Sequence, residues 1–327
     1  MGAFRKDAPG VIEEKQGLLY YLREGCAMYR KMLVPLDGSD VSEVTFRYAK
    51  ELAGRFAGLE VILLHAYTPD EQGALPMHRL YIERSAEIIR EAAARQSQGR
   101  QVNVRGELVE GSPAEEILSF AEDKGVDLIL MATHGRSGVS RWAMGSVAYR
   151  VLRAAKVPVL LVRTGIEEAI IEDKLPERRI LVPLDGDRAS ETVLRYVEQL
   201  AEGWGKDVVQ IILARVCEPP AISADYPSDM PITWEQHVER ENAKCRLVSG
   251  TYLADIEKRL KNAGFKARVE IPLGGPAEEI TRLAERVRAN LVAMVIHGRS
   301  GISRWAYGST AEKVMLNART PILLVKG

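Results

Sequence analysis

Lys31 to Ala53 reads KMLVPLDGSDVSEVTFRYAKELA, and Arg179 to Ala201 reads RILVPLDGDRASETVLRYVEQLA. At an offset of 148, 12 of these 23 positions are identical. A second block, HGRSGVSRWAMGS from His134 to Ser146, returns as HGRSGISRWAYGS from His297 to Ser309, with 11 of 13 positions shared at an offset of 163. Two copies of one unit, in the same internal order, make the chain a tandem duplication, and each copy has the length of an ordinary domain. The expected boundaries are 31–165 and 179–327, with an extension over 1–30 and a linker over 166–178. The two offsets differ by 15 residues, so the second copy carries extra chain between its two blocks, expected mostly around Pro219 to Asn242.

Each copy alternates strand and helix patterns. Lys31–Leu36 is a short apolar run that breaks at Asp37-Gly38, and a helix pattern follows from Ser42 to Phe56. Leu59–Ala66 is nearly continuous in apolar residues, as for a strand covered on both faces. His78–Ala94 has helical spacing, and Val102–Glu110 alternates like a strand. Ser112-Pro113-Ala114-Glu115-Glu116 opens a helix with a capping-box pattern. Asp127–Ala132, a helix over Gly145–Ala155, and Val157–Arg163 complete the unit, and the second copy repeats the order to Thr320–Lys326. The fold class is therefore α/β: in each copy five strands in a parallel sheet with helices on both faces, of order 3-2-1-4-5 if the first strand lies centrally. Outside the copies, Val11 to Tyr29 reads as a helix with an apolar side to cover.

Composition narrows the function classes. Lys+Arg and Asp+Glu are both 45, so the chain lacks the basic excess of a protein that works by neutralising phosphates, and no nucleic-acid partner is expected. The apolar runs are strand-length, which gives no membrane span, and the N-terminus has no signal-peptide core. Three cysteines, Cys26, Cys217 and Cys245, stand at unrelated spacings. They read as free thiols in a reducing interior, and the expected location is the cytoplasm. The five histidines are scattered without metal-ligand spacing, so no metal is expected.

In an open α/β sheet, ligands bind beyond the carboxyl ends of the strands where strand order reverses. With the first strand central, that crevice lies between strands one and four, and the two most similar blocks fall there: Asp37 and Asp185 after strand one, Ala132-Thr133-His134-Gly135 and Val295-Ile296-His297-Gly298 at strand four. Gly135, Gly138 and Gly145-Ser146 form a glycine-rich segment opening a helix, which can cradle an anion on backbone N–H groups. Ser146 and Ser309 can cap that helix or donate to a phosphate oxygen. Asp37 and Asp185 can accept from ribose hydroxyls or hold the turn that follows. Arg136 and Arg299 could pair with phosphates or be simply solvated, Trp142 and Trp305 pack or stack on a base, and His134 and His297 orient the turn or serve as acid–base groups; solvation, packing and orientation are the expected roles. No nucleophile and base stand together, so no catalytic residue is assigned. The Walker pattern is absent because no lysine precedes Ser146 or Ser309.

In these blocks and in the terminal VPVLLV and TPILLV strands, both units resemble universal stress protein domains, and the chain resembles a tandem member of that family over 31–165 and 179–327. The resemblance implies two tandem Rossmann-like domains and, as in some members of the family, an ATP site built on a Gly-x2-Gly-x9-Gly-Ser/Thr pattern. The first unit matches at Gly135, Gly145 and Ser146, with Ala132 in place of the leading glycine. The second matches at Gly298, Gly308 and Ser309, with Val295 leading. Pro35, Asp37 and Ala66 correspond to the family's adenine and ribose positions, with Pro183, Asp185 and Arg215 as their second-unit counterparts. Val147 and Thr310 join the phosphate-facing backbone. The implied function is a cytoplasmic stress-response protein holding ATP or a related adenine nucleotide, with or without Mg, as a regulatory ligand and mainly in the first unit. No substrate reaction is implied, though the resemblance leaves room for slow ATP hydrolysis. The alternative is a nucleotide-independent scaffold of the same fold, favoured by Ala132 and Val295. The apolar final strands imply pairing of the two units within the chain, and the same edge chemistry allows a homodimer.

Overall fold

The computed structural model describes residues 29–133, 144–164, 177–221, 232–296 and 309–327. The first unit runs β1 (Lys31–Pro35), α1 (Thr45–Arg55), β2 (Glu60–Tyr67), α2 (Leu75–Ala94), β3 (Asn103–Glu110), α3 (Pro113–Asp123), β4 (Leu128–Ala132), α4 (Ser146–Ala154) and β5 (Val159–Val162). The second repeats it as β6 (Arg178–Pro183), α5 (Val193–Trp204), β7 (Val209–Ala214), α6 (Trp234–Asn262), β8 (Lys266–Glu270), α7 (Pro276–Arg286), β9 (Leu291–Ile296), α8 (Ser309–Asn317) and β10 (Ile322–Lys326). The expected helix over Val11–Tyr29, apart from Tyr29, and nearly all of the linker lie outside the described residues.

The strands form one ten-stranded sheet in the order β3-β2-β1-β4-β5-β10-β9-β6-β7-β8. Within each unit every pairing is parallel, and the two units join through an antiparallel β5–β10 ladder, Ile322 opposite Leu161 and Leu324 opposite Val159. Central strands such as β4 and β9 are buried on both faces, which is why their sequences show no alternation. One core lies under α1, α2, α5 and α6, and a second lies under α3, α4, α7 and α8.

The junction shows the internal twofold relation. Arg163 donates to the carbonyls of Leu316 and Met315 at the end of α8, and Lys326 donates to the Arg153 carbonyl at the end of α4. Each cation thus meets the negative end of the other unit's helix. On the opposite face Phe56 packs edge-on to Trp204, ring centres 6.5 Å apart, and these two residues occupy equivalent positions of the copies. Gly203 allows that approach, since a Cβ there would run into the Phe56 ring.

One local expectation is corrected. Ser112 is the N-cap of α3 and Pro113 follows it, but the serine side chain makes no capping bond. Glu116 instead lies back against Gly111, and Glu115 pairs with Arg150 at 2.8 Å.

Candidate functional site

In each unit the first strand has its neighbours on either side, β2 and β4 flanking β1, and β7 and β9 flanking β6, so the order reverses there. Pro35 ends β1, and Asp37 follows it, half-buried. Its Oδ1 accepts from the Ser39 N–H at 3.0 Å and the Ser39 hydroxyl at 2.6 Å. The Ser39 carbonyl accepts from the Ser42 N–H at 3.0 Å, which turns the chain into α1. One carboxylate oxygen therefore builds the turn, as an Asx motif does. Asp185 repeats the device through the Asp187 N–H at 2.8 Å and is exposed.

Across the crevice, Ala132 ends β4 and is buried. The Gly145 N–H bonds the Thr133 carbonyl at 2.8 Å, so the entrance of α4 is tied directly to the end of β4. Gly145 is the N-cap, with φ −59° and ψ 146°. Ser146 is thus the first helical residue rather than the cap, and its side chain is exposed. Val147 packs its side chain toward the core and can offer only its backbone outward. The first turns of α3 and α7 carry their own carboxylates, Glu115 and Glu116, and Glu278 and Glu279. The first turn of α4 carries none, whereas that of α8 carries Glu312. A helix N-terminus attracts anions, and a carboxylate already placed there opposes a second one.

Behind Asp37, the buried His65 on β2 places Nδ1 3.0 Å from the Leu36 carbonyl. Its ring lies 4.6 Å from that of His78 and 6.1 Å from that of Tyr81, both on α2. Burial, followed by the Glu43 charge, pushes the Tyr81 phenol up to about 12. None of His65, His78 and Tyr81 was singled out by sequence reasoning. The one available signal was a histidine inside the apolar stretch of the run, between Leu64 and Ala66.

The second unit differs here. Pro35 is level with Leu64, and Pro183 with Ala214. The Leu36 N–H bonds the Leu64 carbonyl, and the Leu184 N–H bonds the Ala214 carbonyl, both at 2.8 Å. Arg215 is therefore the counterpart of His65, and Val216 takes the place of Ala66. This corrects the expected pairing of Arg215 with Ala66; neighbouring strand residues face opposite ways, so the one-residue difference changes the face. The Arg215 guanidinium lies over the Tyr252 ring at 5.6 Å, as His65 lies beside Tyr81. It also lies against Gly186, where an added Cβ would meet its Cζ at 2.7 Å. Val295 is buried in the core beneath α5 and α6. The contrast between the crevices thus rests on Arg215 and Glu312 more than on the bulk of Val295. Ser309 opens α8 and is exposed, and Thr310 follows it.

Cys217 and Cys245 are joined in a disulfide, Cα atoms 5.9 Å apart. This overturns the reading of free thiols and removes the cysteines as an argument for a reducing interior. The two are 28 residues apart in sequence, but the first continues β7 and the second lies on the helix packed over it. Gly135, Gly298, Gly308, His134, His297, Arg136, Arg299, Trp142, Trp305 and Gly138 lie outside the described residues. Among the described residues, no group of three His, Cys, Asp or Glu side chains is arranged to hold a metal, and no helix is long and apolar enough to cross a membrane.

A family model described as the universal stress protein family matches residues 28–163 and 177–326. Universal stress protein MJ0531 of Methanocaldococcus jannaschii is 35% identical over 163 residues, covering 46% of this chain and 95% of its own length. Universal stress protein E of Escherichia coli K12 is 24% identical over 316 residues, 92% of this chain and 95% of its own. The crystal structure of a universal stress protein from Archaeoglobus fulgidus shares the fold with a TM-score of 0.59 at 20% identity, covering 91% of this chain and 98% of that one. One relative thus spans about half of this chain and another nearly all of it, in keeping with the doubled pattern read from the sequence. The chain belongs to the universal stress protein family.

Proposed function

We propose that the protein is a cytoplasmic stress-response protein that binds ATP or a related adenine nucleotide in the first unit as a regulatory ligand. The observation that carries this is the entrance of α4. It is tied to the end of β4 by the Gly145–Thr133 bond, lies next to the strand carrying Asp37, and is without an acidic residue in its first turn. The Gly145 N–H is taken by the Thr133 carbonyl, so phosphates would sit on the backbone N–H groups of Ser146 and Val147 with the Ser146 hydroxyl assisting, and Gly135 would join them, as the family pattern implies. Pro35, Asp37 and Ala66 would line the adenine and ribose side, with Ala132 beneath. The corresponding second-unit set is Pro183, Asp185, Val295, Gly298, Gly308, Ser309 and Thr310. It is the weaker site, because Glu312 opposes phosphate and Arg215 leans across Gly186.

Titrating ATP into single-site variants tests the assignment. A hydrogen bond to a charged group contributes about 1.5–3 kcal/mol, so Ser146→Ala should weaken binding roughly ten- to a hundredfold. Gly145→Val should weaken it more, by blocking close approach of the backbone. Ser309→Ala should leave the tighter site unchanged. Equal losses from Ser146→Ala and Ser309→Ala would contradict the assignment to the first unit. The scaffold reading would replace it if none of these variants changes an ATP affinity.

A further inference from the structure

The two units differ most between their second strand and the helix that follows. Tyr67 and Cys217 are structural equivalents, since the N–H of Gly111 bonds the first carbonyl at 2.9 Å and that of Gly274 the second at 3.0 Å. Tyr81 and Tyr252 are equivalents too, because His65 and Arg215 pack on them in the same way. By that correspondence α2 begins where α6 has already run through residues 234–245. The helix α6 is 29 residues long, against 20 for α2. Its buried residues are Ser249, Leu253, Ile256 and Leu260, all in its second half. The first half buries no side chain, and Leu247 and Val248 beside it are exposed. Yet Cys245, where the extension meets the body, is bonded to Cys217, which is wholly buried at the end of β7. The two cysteines thus bracket the chain that the first unit lacks. The bond is the covalent tie between that chain and the sheet.

We infer that Cys217 and Cys245 form a thiol–disulfide exchange site for low-molecular-weight thiols and disulfides, and that its state fixes or frees the first half of α6. Cys245 is half-buried and Cys217 wholly buried, so Cys245 is the proposed point of attack. An incoming thiolate bonds to the Cys245 Sγ, the Sγ–Sγ bond breaks, and its electron pair leaves on the Cys217 Sγ, which takes a proton from solvent. A second thiolate attacks the external sulfur of the mixed disulfide and releases Cys245, which is protonated in turn. Two thiols become one small disulfide, and the protein disulfide becomes two thiols. The reverse sequence, with a small disulfide as oxidant, restores the bond. The buried Ser249 hydroxyl lies 3.6 Å from the Cys217 Sγ and 3.7 Å from the Cys245 Sγ, placed to donate to the departing sulfur. Without the bond, the first half of α6 loses its covalent cross-link to the end of β7 and has no fully buried side chain to hold it in place.

The test uses the full chain with Cys26→Ser, which leaves only this pair, equilibrated in glutathione buffers from fully reduced to fully oxidised. Alkylation and mass spectrometry should find Cys217 and Cys245 linked under oxidised glutathione and both alkylated under reduced glutathione, without denaturant. Hydrogen exchange across 234–248 should rise at least tenfold on reduction, while 252–262 stays protected. Adding Cys245→Ser should show the fast exchange in both buffers. The inference is overturned if the pair stays unlinked under oxidised glutathione, or if the bond opens only in denaturant. It is equally overturned if exchange over 234–248 is the same in both states. No readout involves nucleotide, so the outcome is independent of the proposed ATP site.

Discussion

Glu51 and Arg178 meet across the boundary between the units, with Arg178 over the Trp204 ring at 4.9 Å and Arg55 3.6 Å from the same carboxylate. Burial raises the Glu51 carboxyl above its ordinary range although Arg178 and Arg55 pull it down, and burial likewise lowers Arg178 although Glu51 raises it. Desolvation outweighs attraction for both partners, so the pair contributes little net stability while intact; removing one partner is what costs. Arg178→Met should destabilise the protein by about 3 kcal/mol at neutral pH. A carboxyl whose folded pKa is raised takes up a proton more readily in the folded state, so its favourable contribution is present at low pH and lost as pH rises through that pKa. The deficit of the variant should therefore shrink from pH 7 to pH 5, as read by urea denaturation; a deficit independent of pH would count against this. At the same scale, the Asp37 turn was legible because it is built from residues adjacent in sequence, whereas Gly145 is held by Thr133, twelve residues earlier. Arg215 was misassigned by one position. The repeat offset of 148 holds through the first helix but has become 150 by the β7 register, and the intervening sequence is too dissimilar to show it.

At the scale of elements, a tyrosine ties α6 to the turn after the first strand of its unit, and α2 carries the equivalent tyrosine. The Tyr252 hydroxyl donates to Glu191 at 3.2 Å, and Tyr81 faces Glu43, the equivalent glutamate. Burial first, and then these glutamates, push both phenols from 10.0 up to about 12. A raised folded pKa means stability that is complete below pH 10 and lost as pH rises toward 12. Tyr29 and Tyr48 are raised as well, chiefly by burial, so ultraviolet titration should show at least four phenols ionising after the exposed ones. Tyr81→Phe with Tyr252→Phe should reduce that late step by two phenols and flatten the alkaline loss of stability; a late step of undiminished amplitude in the double variant would show the assignment wrong. The extended first half of α6 was not legible as a helix. The extra chain was located correctly in the second copy, but a segment that buries nothing has no apolar period to read. The disulfide was missed because sequence spacing says nothing about which strand end and helix face will meet.

For the whole molecule, the decisive feature is the β5–β10 ladder, which turns two five-stranded sheets into one of ten. The pairing was legible because Val157–Val162 and Pro321–Val325 are apolar strands that would each be an exposed edge in a lone unit. Residues 31–165 produced alone should therefore self-associate, and sedimentation should show a dimer; a unit that stays monomeric at high concentration would contradict this. Joining the sheets leaves the two crevices as separate sites at the two first strands, and the account assigns the working nucleotide site to one of them. Calorimetric titration of the full chain with ATP tests that claim most directly. Saturable binding with one tight site per chain is expected, abolished by Gly145→Val and retained in Gly308→Val. No binding at millimolar ATP, or a tight site that survives Gly145→Val and is lost in Gly308→Val, would contradict it.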